Sequence, residues 1–317
     1  MIKTATFRQL STLHALARLG SVARVAAELH LTAPAVSIQL KLLEEAAGAP
    51  LTERVGRGLR LTPAGTVMAQ YAARILDLWR EAGEEMATQR GEFSGTLRVA
   101  AVTTAEYLLP PLLVAFASAH PGVKVKLSVG NRDQIVHMLA SQEADVAIMG
   151  RPPRELKTDA TPFAQHPMAF LAAPSHPLLA QRNVSLTEVA AANLLVRERG
   201  SGTRTTLERL FKDEGVPLRI GSEMSSNEAL KQMCAAGFGV AFLSLHTCRL
   251  ELDAGLLQLL PLPGHPLQRE WFVMHLSARQ LPQVASAFER FLAAEGQRLV
   301  SAQLQSVQGR VAKKGRA

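Results

Sequence analysis

Residues 21–45, SVARVAAELHLTAPAVSIQLKLLEE, constrain the fold more than any other stretch: they read as helix, tight turn, helix. Ser21 is placed as an N-cap, and Val22, Val25, Ala26 and Leu29 share one helical stripe. His30 and Leu31 close the first helix. Thr32 caps the second, and Pro34 falls in its first turn, where a missing N–H costs little. Val36, Leu40 and Leu43 then recur at i, i+4 and i+7 and should face a core. The opposite face carries Ala33, Pro34, Ser37, Ile38 and Lys41, with Ala35 beside them. Small and polar side chains at the N-terminal end of a helix suit the edges of bases in the DNA major groove.

An ordinary helical hairpin in a core satisfies the same spacing, so the flanks decide. Upstream, Phe7, Leu10, Leu13, Leu16 and Ala17 predict a third helix over 7–19 to pack against. Downstream, Arg54, Arg57 and Arg60 surround Gly56 and Gly58, as a basic wing would. Leu61-Thr-Pro-Ala-Gly65 then starts a long helix. The candidate DNA contacts are Ser21, Thr32, Ala33, Pro34, Ala35, Ser37, Ile38 and Lys41, with Arg54, Arg57 and Arg60 on phosphates.

Charge supports this reading. The net charge is +8 over 317 residues, but residues 1–65 hold eight Lys/Arg against four Asp/Glu, and residues 297–317 hold five Lys/Arg and no acid. The long middle is therefore nearly neutral, and the basic ends suit phosphate contacts. Residues 297–317 read as a basic, disordered tail. The first residues lack the apolar segment of a secretory signal, and no run is long enough to span a membrane, so a cytoplasmic location is expected. Two cysteines, Cys234 and Cys248, are too few for a disulfide framework. No Cys/His spacing resembles a metal site, and several histidines sit in His-Pro turns (120–121, 166–167, 176–177, 265–266).

From Pro63 to about Gln89 there is no further proline, and Val67, Tyr71, Arg74, Leu78 and Met86, with Ile75, Leu76 and Trp79, mark one side of a helix. Its expected partner is its own copy in a second subunit. Gly91–Gly95 reads as a hinge. Beyond it, strands at 96–102, 123–129 and 145–149 alternate with helices, predicting a parallel α/β unit that ends at Gly150-Arg-Pro-Pro153. A second unit runs from about Met168 to Pro266, and 269–276 with 283–294 return to the first. Two such lobes enclose a cleft at their strand ends.

The cleft's chemistry is expected in Arg197-Glu-Arg-Gly-Ser-Gly-Thr-Arg204, which follows a strand and opens a helix. Gly200 and Gly202 permit close backbone approach, Ser201 and Thr203 offer hydroxyls, and Arg199 and Arg204 can fork onto an anion. Thr103 and Thr104 face them from the other lobe, and Asn227 is a further candidate. A capped turn with solvated arginines is the plainer alternative. No catalytic set is evident. A metabolite-binding protein or enzyme of the two-lobed type, with N-terminal dimerisation helices, is the alternative function.

The residues Ala35-Val-Ser37, Leu42-Leu-Glu-Glu45 and Leu61-Thr-Pro-Ala-Gly65 resemble those of the LysR-type transcriptional regulators, and the order of parts extends the likeness over residues 1–295. Met149-Gly-Arg-Pro-Pro153, Arg197–Arg204 and Ala241-Phe-Leu-Ser-Leu-His-Thr247 are most similar to the branch that regulates Calvin-cycle (carbon dioxide fixation) operons. The resemblance implies a winged helix-turn-helix over 1–62, a linker helix over 63–90 and a two-lobed, periplasmic-binding-protein-like effector domain over 91–296. Lobe I would comprise about 95–165 and 269–296, and lobe II 166–268. It implies a non-enzymatic activator, a homodimer or homotetramer on an interrupted palindrome in promoter DNA, contact with RNA polymerase, and no cofactor. The implied effector is a phosphorylated metabolite or NADPH. Ala33 and Ile38 stand where many relatives carry glutamine and arginine, and Thr52 where phenylalanine is frequent, so the base code of those relatives does not carry over to these positions. Ile38 can touch a thymine methyl but cannot hydrogen-bond to guanine.

Overall fold

The computed structural model describes residues 4–55, 58–89 and 93–314. It divides into two compact units, Met1–Glu92 and Phe93–Ala317.

In the first unit α1 (Phe7–Leu19), α2 (Val22–Glu28) and α3 (Ala33–Ala47) form the helical head. Thr6 and Gln9 close a capping box on α1, and Gly20, in the left-handed region, ends it. Leu10, Leu13 and Leu16 meet Val25, Val36, Leu40 and Leu43 in one core. Ala17 is exposed rather than in that core, and Phe7 turns outward against the Trp79 ring, 5.0 Å between centroids. Both lie at the rim of the α1 stripe, where a single-residue step leaves the buried sector. Ser21 occupies the N-cap of α2, but its hydroxyl makes no capping bond; Thr32 does cap α3, accepting from the Ala35 N–H at 3.3 Å.

The wing is a two-stranded antiparallel hairpin, β1 (Thr52–Val55) and β2 (Gly58–Leu61). The Glu44 carboxylate on α3 accepts from the backbone N–H groups of Leu51 and Thr52 and from the Thr52 hydroxyl, all within 2.8–2.9 Å, tying the wing to α3. Next comes α4 (Pro63–Gln89), whose start explains the Leu-Thr-Pro-Ala-Gly run. Thr62 donates to the Pro50 carbonyl and accepts from the Gly65 N–H, and a Cβ on Gly65 would lie 1.9 Å from the Leu51 carbonyl oxygen. Only glycine admits that approach. The helix also packs on its own chain: Ala69 and Ala72 join the head core, because small side chains let α4 lie close to α1. Val67, Tyr71, Ile75, Leu78, Trp79 and Met86 nonetheless remain exposed.

The second unit has two lobes. Lobe I is a five-stranded sheet in the order β4–β3–β5–β12–β6, made from β3 (Ser94–Val102), β4 (Gly122–Gly130), β5 (Val146–Met149), β6 (Thr158–Gln165) and β12 (Glu270–Leu276). It carries α5 (Leu109–Ala119), α6 (Arg132–Ala140) and α11 (Gln283–Lys314). Lobe II is the sheet β11–β7–β10–β8–β9, from β7 (Met168–Ala172), β8 (Leu194–Arg197), β9 (Ser222–Met224), β10 (Val240–Ser244) and β11 (Gln258–Leu259). Its helices are α7 (Leu186–Ala191), α8 (Gly202–Asp213), α9 (Asn227–Ala235) and α10 (Arg249–Asp253). Neither sheet is parallel throughout. In lobe I β12 runs antiparallel to both β5 and β6; in lobe II β7 runs antiparallel to β10 and β11. The reason is connectivity: β6 leads out of lobe I and β12 leads back in, and strands laid by such crossings need not follow the βαβ direction.

The C-terminal stretch departs from expectation. Residues 297–303, read above as the start of a disordered tail, continue α11 and belong to lobe I. Val300 is fully buried, Gln297 accepts from the Gln165 N–H at 2.9 Å, and Gln303 donates to the Leu108 carbonyl at 3.3 Å. Val300 extends the apolar stripe of Phe288 and Leu292, so the helix packs on lobe I well beyond the expected end at 294. Residues 91–92 of the expected hinge lie outside the described residues, while Gly95 is already within β3.

Candidate DNA-reading helix and effector cleft

On α3, Thr32, Ala33, Pro34, Ser37, Ile38 and Lys41 are all exposed and Ala35 is half-buried, so the predicted contact face is free in the head. Ile38 is 56% exposed, an apolar side chain held in water at the position expected to meet a base. The Ser37 hydroxyl donates to the Ala33 carbonyl at 3.1 Å, which leaves its lone pairs for an incoming donor. Ser21 is half-buried at the start of α2. On the wing Arg54 is exposed, and Arg60 pairs with Glu53 at 2.8 Å; such exposed pairs are weak and yield readily to phosphate. Arg57 lies outside the described residues.

In the second unit a cavity of about 820 Å³ opens between the lobes. Thr103 and Thr104 line it from the end of β3, and Ser201, Gly202 and Thr203 line it from the first turn of α8. The sequence motif thus supplies free backbone N–H groups and hydroxyls at a helix start, facing two threonines across the cleft.

Four other candidates are not on its wall. Arg204 turns away: it is buried and donates to the Arg197 carbonyl at 3.0 Å, to Glu223 at 3.2 Å and to Glu208 at 2.5 Å. At the third position of α8 its side chain runs back toward the ends of β8 and β9 rather than into the opening. Arg199 is exposed and does not line the cavity. Gly200 abuts lobe I instead, since a Cβ there would meet the Asp133 carboxylate at 2.9 Å. Asn227 is buried and accepts from Arg197. Arg197 itself, wholly buried, also donates to the Thr103 hydroxyl at 3.4 Å and so joins the lobes behind the cavity.

The cationic groups come from places the motif did not mark. Arg132, Arg151, Arg209 and Arg269 all line the cavity. Arg132 is held by Glu155 in two hydrogen bonds of 2.7 and 3.0 Å, which raise its pKa and pull that of Glu155 down to about 2. Arg209 is paired with Asp213 at 3.3 Å. Arg269 donates to the Gly150 carbonyl in lobe I at 2.8 Å and to the Thr206 hydroxyl in lobe II. Burial, then the charges of Arg151 and Arg209, hold Arg269 below the usual arginine range. Arg151, within Gly150-Arg-Pro-Pro153, is depressed by desolvation and then by Arg209, Arg154 and Arg132. Mutually repelling guanidiniums around a cavity are relieved by an anion. Arg132 carried a signal of its own: it opens α6 just after β4 ends at Gly130, where a helix start follows a strand. The other three are scattered through the chain and meet only in the folded lobes.

Among the described residues there is no cluster of His, Cys, Asp and Glu able to hold a metal ion, and no helix is long and apolar enough to cross a membrane.

Residues 7–66 match the bacterial regulatory helix-turn-helix protein, lysR family, and residues 90–297 the LysR substrate binding domain. A "RuBisCO operon transcriptional regulator" of Allochromatium vinosum is 38% identical over 93% of this chain and 97% of its own length. The "HTH-type transcriptional regulator CbbR" of Rhodospirillum rubrum is 42% identical over 90% of this chain and 95% of its own. Among solved structures, the Synechocystis PCC6803 CcmR regulatory domain in complex with 2-PG is 37% identical, with a TM-score of 0.61 over 63% of this chain and 97% of that one. Full-length CbnR complexed with its target DNA is 25% identical, with a TM-score of 0.65 over 91% of this chain and 99% of that one. With both domains matched in order and relatives of this identity over nearly the whole length, the chain belongs to the LysR family: it is a DNA-binding transcriptional regulator, not an enzyme.

Proposed function

We propose that this regulator controls carbon dioxide fixation (Calvin cycle) genes as an activator, and that a small phosphorylated anion in the inter-lobe cavity sets its activity. The names of its relatives support the target genes. The observation that carries the effector reading is the convergence of Arg151 and Arg269 with the start of α8 and Thr103–Thr104 on one cavity. The cavity's size suits a sugar phosphate or a nicotinamide nucleotide such as NADPH. The regulator works as a homodimer or homotetramer on an interrupted palindrome and recruits RNA polymerase from there. The exposed apolar side of α4 supports self-association.

Calorimetry with 2-PG, inorganic phosphate and NADPH tests the effector reading. The parent chain should bind at least one of them, and Arg151→Ala should weaken that binding about tenfold, since a charge-assisted contact is lost. Binding of none, or binding that Arg151→Ala leaves unchanged, would reject the cavity as an anion site.

A further inference from the structure

Between Thr103–Thr104, on the cavity wall, and α5 the chain makes one short helical turn, Ala105–Tyr107. Ala105 and Leu108 are wholly buried in the core of lobe I, which anchors the turn there. Tyr107 instead reaches lobe II. Its hydroxyl donates to Glu228 Oε1, in the first turn of α9, at 2.5 Å. Lys231, one turn further along α9, donates to the same Glu228 oxygen at 2.8 Å and to Glu251 of α10 at 2.9 Å. Lys231 is 3% exposed, and its ammonium stands over the Tyr107 ring, 5.0 Å from the centre.

The contact is secured twice. Lys231, then the Tyr107 hydroxyl, hold the Glu228 carboxyl below its usual range, so the phenol bonds to a charged acceptor. The ammonium over the ring adds a cation–π contact. Arg197 makes a second joint close by: it donates to Asn227, beside Glu228, and to the Thr103 hydroxyl. Both ends of the 103–107 segment are therefore tied to the start of α9, directly at Tyr107 and through Arg197 at Thr103. Contacts within one lobe stabilise that lobe; these fix where one lobe stands against the other. Neither Tyr107 nor Glu228 lines the cavity.

We propose that Tyr107 is a positioning residue for the effector: its grip on Glu228 and Lys231 holds Thr103–Thr104 opposite Ser201–Thr203 at the separation a bridging anion needs. The inference rests on the anion-binding reading of the cavity. Without the grip the lobes spend a smaller fraction of their time at that separation, which the arginines around the cavity oppose by repulsion. Apparent affinity falls with that fraction.

Tyr107→Phe keeps the ring under Lys231 and removes the donated hydrogen bond alone. Val189→Ala, in the core of lobe II, supplies a loss of stability that touches no inter-lobe contact. The full-length chains are compared with the parent by thermal unfolding and by calorimetry with 2-PG and inorganic phosphate. Without ligand, hydrogen exchange is followed over Gly200–Thr206, where Gly200 lies against Asp133 of lobe I. Tyr107→Phe should weaken 2-PG binding about three- to tenfold and speed that exchange. Val189→Ala should lower the unfolding midpoint further than Tyr107→Phe does, yet bind 2-PG within about twofold of the parent. A Tyr107→Phe chain that binds as tightly as the parent would overturn the inference. So would a Val189→Ala chain that loses as much affinity, since stability alone would then account for both. A parent chain that binds neither 2-PG nor phosphate would overturn the anion reading of the cavity; unchanged exchange in Tyr107→Phe would then overturn the positioning as well, and faster exchange would uphold it.

Discussion

Arg204 and Arg151 carry the same charge and do different work because their neighbours differ. Arg204 is buried among Glu208, Glu223 and the Arg197 carbonyl and fixes α8 to the sheet; Arg151 stands among other guanidiniums at the cavity and has charge to give. Removing Arg204 would strand its partners, so its loss reads out as stability rather than ligand affinity. The buried histidines make a pH prediction at this scale. Burial pushes His246 from its ordinary 6.5 down to about 4, a shift that the Gln165 carbonyl only partly offsets, and His166 lies well below 6.5 too. The native state therefore keeps both neutral, while the unfolded chain takes up protons on them as pH falls through 6.5. The contribution of His246 is full above that pH and declines toward 4 by about 1.4 kcal/mol per pH unit, and that of His166 likewise declines as pH falls below 6.5. Stability measured from about pH 7 to about pH 5 should fall in the parent and fall less steeply in His246→Asn. Identical slopes in the two chains would contradict this assignment.

At the scale of elements, α4 divides its surface: Ala69 and Ala72 face the head core, while Val67, Tyr71, Ile75 and Leu78 face water. An exposed stripe of that length predicts a second copy against it. Tyr71→Asp with Leu78→Asp should leave the head folded but lower the oligomer to a monomer and weaken operator binding, because one half-site supplies less contact. Sedimentation showing an unchanged oligomer would reject it. This division also shows what was legible beforehand. The helices of the head, α4, and the strand-to-helix turns at Thr103–Thr104 and Ser201–Thr203 were readable because each follows from a local pattern of apolar spacing and turn residues. β6 was not: Thr158–Gln165 contains Pro162 and lies at a sheet edge, where proline is tolerated, opposite a register shift in β12. The mixed strand directions, the buried end of α11 and the meeting of Arg132, Arg151, Arg209 and Arg269 are long-range outcomes that no local pattern encodes. Arg204 was misassigned because spacing alone does not say which way a helical side chain turns.

For the whole molecule, the proposed function requires that occupancy of the cavity between the lobes change how the head holds DNA. Tight binding alone cannot do this; the anion must favour one conformation over another. Bridging is the physical means: Thr103–Thr104, Arg132 and Arg151 belong to lobe I, Ser201–Thr203 and Arg209 to lobe II, and Arg269 to the segment that returns from lobe II to lobe I. An anion touching all of these rewards a particular lobe separation, which unliganded arginines oppose by mutual repulsion. The most direct measurement is a nuclease footprint on the promoter of a carbon dioxide fixation operon, with and without 2-PG, for the parent and Arg151→Ala. The parent should protect two half-sites in both conditions and change the cleavage pattern between them when 2-PG is added; Arg151→Ala should protect the same half-sites and show no change. A parent footprint that 2-PG leaves unaltered, at a concentration where calorimetry shows the cavity filled, would contradict the account.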